Sequence, residues 1–483
     1  MGAGRTGWGT GAAFLPPLPD RQMAIVSSLA AAFARHGEEL SLVGGIVRDR
    51  LLGRPLPADL DLTTSAVTEV TRRAGHEAGA TSAYLVGERF GTVGFIFDGE
   101  PDTPVQVEVT TYRQEHYPDA SRRPAVTLGG TLADDLARRD FTINAIAADA
   151  ATGRLVDPFG GQADLHLGIV RAVGDPDARF AEDPLRLLRA ARFVAILGLR
   201  LDPETAAAMR RGASGLTRIS QERVLAELDR LLTGEYVEHG LETLRETGLL
   251  AAALPELVSL AETTGPADGY GHREKDLWEH TKTVVGRTPP RRAVRWAALL
   301  HDAAKPKTRT VDASGEVHFF GHERAGAKMA AKLLRRLKAD RVTEQAVTRL
   351  VELHARPEAY EPDWTDSAVR RLALEAGDVL DDLLDLAAAD VTSARERQQR
   401  RAAERIAALR DHIARLEAEQ ALSQLQSPLD GDALMALFDR PPGRWIAVVK
   451  DHLRELVIDG DLAPGDTETA ERIAREIVAR VGA

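Results

Sequence analysis

A chain of 483 residues and 52.3 kDa is longer than one hydrophobic core usually organises, and 44% apolar against 28% charged residues excludes wholesale disorder. The absence of cysteine excludes disulfides, thiolate-bound zinc and thiol catalysis, fits a reducing cytoplasm, and leaves any metal to histidines and carboxylates. The net charge of −11 does not exclude a nucleic-acid partner, because binding needs a local basic surface rather than a basic protein.

The first 20 residues lack a basic start and an apolar core, so they read as a flexible tail rather than a signal peptide. No apolar run approaches the roughly 18 residues of a membrane span, so no membrane partner is expected. Residues 21–170 alternate short apolar runs with helical patterns. Leu40–Val43 reads as a strand ending in Gly44-Gly45, followed by a short helix to Leu52. Leu60 and Leu62 alternate with Asp59 and Asp61 in a second strand; Val93–Phe97 and Val105–Val109 are two more, joined through a turn at Asp98-Gly99. Residues 113–130 are polar and rich in Gly and Pro, the pattern of a mobile loop. From Thr131 the period becomes helical, with one last strand at Val170–Val173, and after Pro176 nearly everything is helix. A helix of about 30 residues is expected over Arg395–Leu425, with Ile406, Leu409, Ile413 and Leu416 on its packed side, and two amphipathic helices in 430–483. The fold class is α+β: a small mixed-sheet head, then a mostly α-helical remainder. The expected division is a tail (1–20), a catalytic head (21–170), a helical neck (171–255), a metal-binding module (256–395) and a helical C-terminal body (396–483).

Several motifs carry chemistry. Gly44-Gly45-Ile-Val-Arg48-Asp49 follows a strand and opens a helix, where glycines let backbone N–H groups approach an anion. In Asp59-Leu60-Asp61, residues i and i+2 of a strand share a face, and two adjacent carboxylates repel unless a cation lies between them. Arg138-Arg139-Asp140-Phe-Thr-Ile-Asn144 reads as a helix start offering guanidinium groups to a triphosphate. Asp183, Arg186, Arg189 and Arg192 recur at steps of three and line one helix face. Glu108 is a candidate third carboxylate, with an ordinary exposed strand residue as the alternative.

Taken as an ordered set, GGIVRD, DLD, RRDFTINA, EDPLRLLRAARF and ISQERVLAEL (Ile219–Leu228) closely resemble the class II tRNA nucleotidyltransferases and bacterial poly(A) polymerases of the polymerase β superfamily. The resemblance implies template-independent addition or repair of the 3′-terminal CCA of tRNA from CTP and ATP. In it Asp59 and Asp61 would be the catalytic residues holding Mg²⁺, and Gly44, Gly45, Arg48, Arg139, Asp140, Asp183, Arg186, Arg189 and Arg192 would bind the nucleotide. An ionised Asp183 only accepts hydrogen bonds, so with Arg186 it suits the exocyclic amino group of cytosine or adenine and rejects uracil and guanine. The partners implied are tRNA, CTP and ATP, with no DNA.

Six of the 13 histidines fall between His272 and His354. Adjacent His301 and Asp302 after an apolar helix need a structural reason, since burying both unpaired is costly, and a shared metal supplies one. The order H…HD…D resembles the HD phosphohydrolase superfamily. That likeness implies His280, His301, Asp302 and Asp390 as ligands of a divalent transition metal, with His322 and His354 for a second ion, Lys305 as a phosphate-facing cation, and hydrolysis at a phosphorylated RNA end. His272 and His318 read as ordinary core or surface residues. Three basic stretches, Arg287–Arg295, Lys332–Arg341 and Arg395–Arg405, are either solvated helix faces or RNA contacts, with 332–405 favoured for RNA. The rival functions are a poly(A) polymerase or an enzyme adding only CC or A, and, in another class, an HD phosphohydrolase with a nucleotide-sensing head.

Overall fold

A computed structural model describes residues 13–56, 59–86, 91–98, 104–116, 125–263, 276–314, 317–391, 396–419 and 426–481. The chain divides into two compact units, Met1–Pro255 and Glu256–Ala483. The mixed-sheet head and the mostly helical remainder make it an α+β protein.

In the first unit the first nine described strands are β1 (Leu40–Val43), β2 (Leu60–Thr64), β3 (Ser82–Leu85), β4 (Thr92–Phe97), β5 (Val105–Thr111), β6 (Arg113–His116), β7 (Ala125–Leu128), β8 (Ala147–Asp149) and β9 (Leu155–Val156). Seven of them form one sheet in the order β3-β4-β5-β2-β1-β8-β9. β2 and β5 run parallel and the other neighbours antiparallel. The parallel pair matters for function, because its register sets Asp61 opposite Glu108. Along β5 the apolar Val105, Val107 and Val109 are buried, while Gln106 and Glu108 turn to the other face and toward solvent. Leu60 and Leu62 are likewise buried on either side of exposed Asp61.

Four expectations need correction in this unit. Residues 13–19 are no free tail: Leu15 N–H donates to Gly153 O (2.8 Å), Leu155 N–H donates to Ala13 O (2.9 Å), and Leu18 is buried. Residues 1–12 lie outside the described residues. The segment read as a mobile loop contains a hairpin, β6 paired with β7 from Arg113↔Leu128 to His116↔Ala125, because backbone pairing does not require an apolar pattern; its centre, 117–124, and the turn after Asp98 lie outside the described residues. After Thr131 the chain is not uniformly helical, since β8 and β9 extend the sheet beside β1. These short strands, of three and two residues, fall below the length at which periodicity is visible. The last strand is shorter than expected, Ile169–Val170, and pairs in parallel with Arg200–Leu201.

The helix Leu185–Leu197 then packs between Gln221–Leu232 and Val237–Glu246. Close approach is bought by glycine: a Cβ on Gly240 would lie 2.5 Å from the Ala195 Cβ.

In the second unit the helices Leu277–Arg287, Arg292–Leu300, Arg341–Leu353 and Leu380–Asp390 gather around fully buried Trp296. The helix expected from Arg395 is observed as Glu396–Glu419, with Ile406, Leu409, Ile413 and Leu416 buried; Arg395 and 420–425 lie outside the described residues. Residues 430–483 hold three helices rather than two, Gly431–Phe438, Arg444–Asp459 and Thr467–Val481. The first was missed because it is only eight residues long. They share a core of Leu434, Val449, Leu453, Val457, Ala470 and Ala474. Among the described residues no helix is long and apolar enough to cross a membrane.

Candidate active site and candidate metal centre

In the head, Gly44 adopts φ 74°, which a side chain would strain, and a Cβ there would also sit 3.2 Å from Arg139 Nη1. Arg139 is thereby laid against the β1 turn. Its Nη2 donates to Asp135 Oδ2 at 3.2 Å, and Arg138 donates to the other oxygen of that fully buried carboxylate. Arg48 is held as firmly: Nε and Nη2 grip both oxygens of Asp49 at 2.9 Å, and Nη1 donates to Asn144 Oδ1 at 2.7 Å. The guanidiniums of Arg48, Arg189 and Arg192 all lie within 5.7 Å of the Phe193 ring centre.

Asp61 is open to solvent on one side, yet the protein crowding it on the others raises its pKa; Arg139 lowers it and Asp59 raises it further. Glu108, the candidate third carboxylate, is raised by desolvation and then by Asp61 and Asp59. Asp61 and Glu108, each raised in pKa with Asp59 contributing, and with Arg139 beside Asp61, form an electrostatic seat for a cation. They are gathered less tightly than the histidine centre described below. The signal for Glu108 was available in the alternation of β5, but its partner strand was not.

The RRDFTIN segment is a turn ending in a short 3-10 helix at Thr142–Asn144, not a helix start. Its reason is Asp140, whose Oδ1 accepts from both the Phe141 N–H (2.8 Å) and Asn144 Nδ2 (3.0 Å). Arg189 Nε donates to Asp140 Oδ2 at 2.7 Å. Burial alone would raise the Asp140 pKa, but Arg189, Asn144 and Arg186 outweigh it and hold the pKa down at about 2. A carboxylate with a depressed native pKa stabilises the fold above its unfolded pKa, and the contribution fades as pH falls through the folded one. Asp140→Asn is therefore expected to cost about 2 kcal/mol at neutral pH. The difference from the parent should shrink between pH 3.8 and about 2, as read by urea unfolding at several pH values. A difference that persists undiminished at the acid end would contradict the assignment.

The four-residue stripe at the next helix is divided among different partners. Arg186 donates to Glu182 Oε2 (2.6 Å) and to Arg138 O (2.9 Å), Arg189 goes to Asp140, and Arg192 is buried against Glu227 (3.1 Å). Burial lowers the Arg192 pKa to about 10 despite that partner. Asp183 lies just before the helix and accepts from Arg223 Nη2 at 2.9 Å, a residue within ISQERVLAEL to which sequence reasoning gave no role. The side chains of Asp183 and Arg186, expected to read the base together, carry different partners here, Arg223 and Glu182.

In the second unit six ligand-type side chains converge. His280, His301 and Asp390 form one cluster, and Asp302, His322 and His354 a second, with ligand atoms inside each within 4.8 Å of one another. His280 Nε2 lies 3.2 Å from His301 Nε2 and 2.9 Å from Asp390 Oδ1. Asp302 connects the two: Oδ2 is 3.2 Å from His301 Nε2, while Oδ1 is 3.7 Å from His322 Nε2 and 3.9 Å from His354 Nε2. Three ring tautomers are fixed by carbonyls, which can only accept. Nδ1–H of His301 donates to Ala298 O (2.8 Å), of His322 to Phe319 O (2.8 Å), and of His354 to Val351 O (2.7 Å). Each Nε2 lone pair therefore faces the cluster.

The centre fits dications. Asp302 Oδ1 is buried with no hydrogen-bond partner, which is costly unless a cation serves it. Burial opposes charge on His301, yet Asp302 and Asp390 raise its pKa to about 9, the mark of a strongly cation-attracting field. Lys305 Nζ donates to Asp302 Oδ2 at 2.7 Å. Glu358, which sequence reasoning did not flag, is raised to about 7 by desolvation and by Asp390. His318 lies on a surface hairpin, and His272 lies outside the described residues.

Of the basic stretches, Arg287–Arg295 is not a free cationic patch. Arg287 donates to Val391 O, Arg291 to Asp382, Arg292 to Asp340 and Arg295 to Pro289 O. Lys332, Lys338, Arg341, Arg397, Arg400 and Arg401 are exposed.

Residues 40–171 match the family described as Poly A polymerase head domain, 198–260 the probable RNA and SrmB-binding site of polymerase A, and 268–395 the HD domain. A relative from Deinococcus radiodurans, named A-adding tRNA nucleotidyltransferase, is 36% identical over 366 residues, covering 74% of this chain and 76% of that protein. The chain belongs to the tRNA nucleotidyltransferase family. A member named CCA-adding enzyme, from Geobacillus sp. (strain WCH70), is 44% identical over 216 residues, 44% of this chain and 50% of that protein; the chain thus matches about half the length of this relative. A crystal structure of the Bacillus stearothermophilus CCA-adding enzyme in complex with CTP shares 28% identity and a TM-score of 0.67 over 96% of this chain and 98% of that one. Nucleotidyltransferase and HD families use divalent metals, in keeping with the clustered ligands here.

Proposed function

We propose that this chain builds or repairs the 3′-terminal CCA of tRNA without a template, using CTP and ATP. The observation that carries the reading is the seat formed by Asp59, Asp61 and Glu108 facing Arg139 and the Gly44 turn. Two Mg²⁺ ions would supply charge screening of the triphosphate and acidification of the RNA 3′-hydroxyl. Asp59 and Asp61, joined by Glu108, would hold them. Gly44, Gly45, Arg48 and Arg139 orient the triphosphate so that its α-phosphorus lies in line with the attacking oxygen. The 3′-oxygen–phosphorus bond forms as the α–β bridging bond breaks, pyrophosphate leaves, and the hydroxyl proton goes to solvent. Asp140, Arg189 and Arg192 complete the nucleotide-binding set in this reading. Asp183 accepts from the amino group of cytosine or adenine while Arg186 donates to a ring acceptor. Both must first release their present partners, Arg223 and Glu182, so nucleotide entry rearranges this pair.

The second unit is assigned a divalent transition metal at His280, His301, Asp302 and Asp390, and a second ion at Asp302, His322 and His354. The chemistry is hydrolysis of a phosphorylated RNA end, with Lys305 beside the phosphate. The five-part division given from the sequence and a cytoplasmic location are part of the same reading, with tRNA tracking the exposed cations of 332–405.

A narrower activity, addition of the terminal A alone, is favoured by the name of the Deinococcus radiodurans relative. One experiment separates the two. Labelled CTP, ATP, then both are offered with tRNA transcripts ending before CCA and after CC. Two C and one A on the first transcript support CCA addition; a single A on the second alone supports the narrower activity. A long A tail would indicate a poly(A) polymerase, and no incorporation would refute nucleotidyl transfer and leave the sensing-head alternative.

A further inference from the structure

Between Lys305–Thr308 and the helix His322–Arg336 the chain forms a hairpin, with strands Thr310–Val311 and Val317–His318. At its end Phe320 is 75% exposed, an unusual position for a phenylalanine ring. One face of that ring is covered: the His318 imidazole stacks on it with centroids 5.0 Å apart and planes 15° from parallel. His318 is itself steered by Asp312, whose Oδ2 lies 2.9 Å from Nε2. The intervening Phe319 lies just past the end of the second strand. Phe319 lies beneath the Lys305 ammonium at 5.6 Å, and its carbonyl oxygen fixes the tautomer of His322. The exposed aromatic step is therefore tied, two residues away, to a side chain of the second metal cluster and to the lysine beside it. Arg309 and Arg324, which flank the hairpin in the chain, are exposed.

We propose that the His318–Phe320 step is a base-stacking platform for the terminal nucleotide of a phosphorylated RNA end whose phosphate enters the histidine–aspartate centre; this rests on the hydrolytic reading of that centre. A ring already backed on one face presents the other ready-made, and stacking is tolerant of base identity. The platform thus supplies affinity for a nucleotide over a bare phosphate ester without selecting a sequence, while the cationic flanks draw in the phosphodiester chain.

The test uses the full chain with added Mn²⁺ and no nucleoside triphosphate. A short RNA ending in a 4-thiouridine 3′-phosphate is photo-crosslinked and the adduct mapped by mass spectrometry, which distinguishes the hairpin from the head. Phosphate release from the same RNA is compared with release from β-glycerophosphate, which has no base. The expected result is an adduct within 317–321 that is lost in Phe320→Ala. The KM for the RNA should rise by about tenfold in that variant, with β-glycerophosphate hydrolysis unchanged and Phe320→Trp restoring the parent KM. No adduct at the hairpin in the parent, or an equal loss on both substrates, would overturn the platform. An adduct at the hairpin without phosphate release from either substrate would uphold the platform and remove the hydrolytic reading instead.

Discussion

Asp61→Ala is expected to lower nucleotide incorporation by on the order of a thousandfold or more, because it removes a ligand from the cation that screens the triphosphate. The same change should leave the metal-free fold as stable as the parent or more so. Crowding by the surrounding protein and the charge of Asp59 both raise the Asp61 pKa, so its ionised form is disfavoured in the folded chain relative to the unfolded one. For an acid with a raised native pKa the sign is opposite to that of Asp140: stability is lost as pH rises through the titration, and gained when the group is removed. Thermal unfolding of the parent should therefore shift upward on adding Mg²⁺, while the variant should start as high or higher and respond less. A variant that loses incorporation and unfolds early would instead mark Asp61 as structural.

Asp302→Ala should be the most damaging single change in the second unit. Its two oxygens face different clusters, so one substitution takes a ligand from both. Metal analysis after dialysis is expected to show loss of bound transition metal to below about a tenth of the parent, in line with the dependence of such sites on each ligand. His322→Ala, which touches only the second cluster, should keep one ion. Equal metal content in both variants would dismiss the bridging role. Removing Asp302 also leaves Lys305 and the histidines without their shared anion, so a lower melting temperature is expected as well.

Much of the head could be read from residues because its motifs are short and local. The Gly44 turn and the Asp59-Leu60-Asp61 motif at the start of β2 each declare their geometry within a few positions, as does the His301-Asp302 pair in the second unit. What could not be read depends on partners distant in sequence. Arg186, Arg189 and Arg192 do repeat every three residues, but Glu182, Asp140 and Glu227 divide them among separate ion pairs, and nothing in the helix itself names those partners. Asp140 illustrates the same point at shorter range, since a buried carboxylate gripping its own following backbone turned an apparent helix start into a tight corner. Glu108 needed the parallel pairing of β2 with β5, a connection across more than forty residues, before it could be placed beside Asp61. The Arg287–Arg295 stretch looked available for RNA because charge is visible in sequence and its neutralisation by Asp382, Asp340 and backbone carbonyls is not.

The three imidazoles whose Nδ1–H groups are donated to carbonyls three residues earlier have a further effect on the second unit. Their orientation is set by backbone carbonyls at or beside helix ends, before any ion arrives. Loading then requires no reorganisation of those rings, and a nitrogen- and carboxylate-lined cavity of this kind ranks late first-row dications by intrinsic preference rather than by shape. Occupancy would thus follow the supply of ions in the cell, and a purified sample would report the medium in which it was grown.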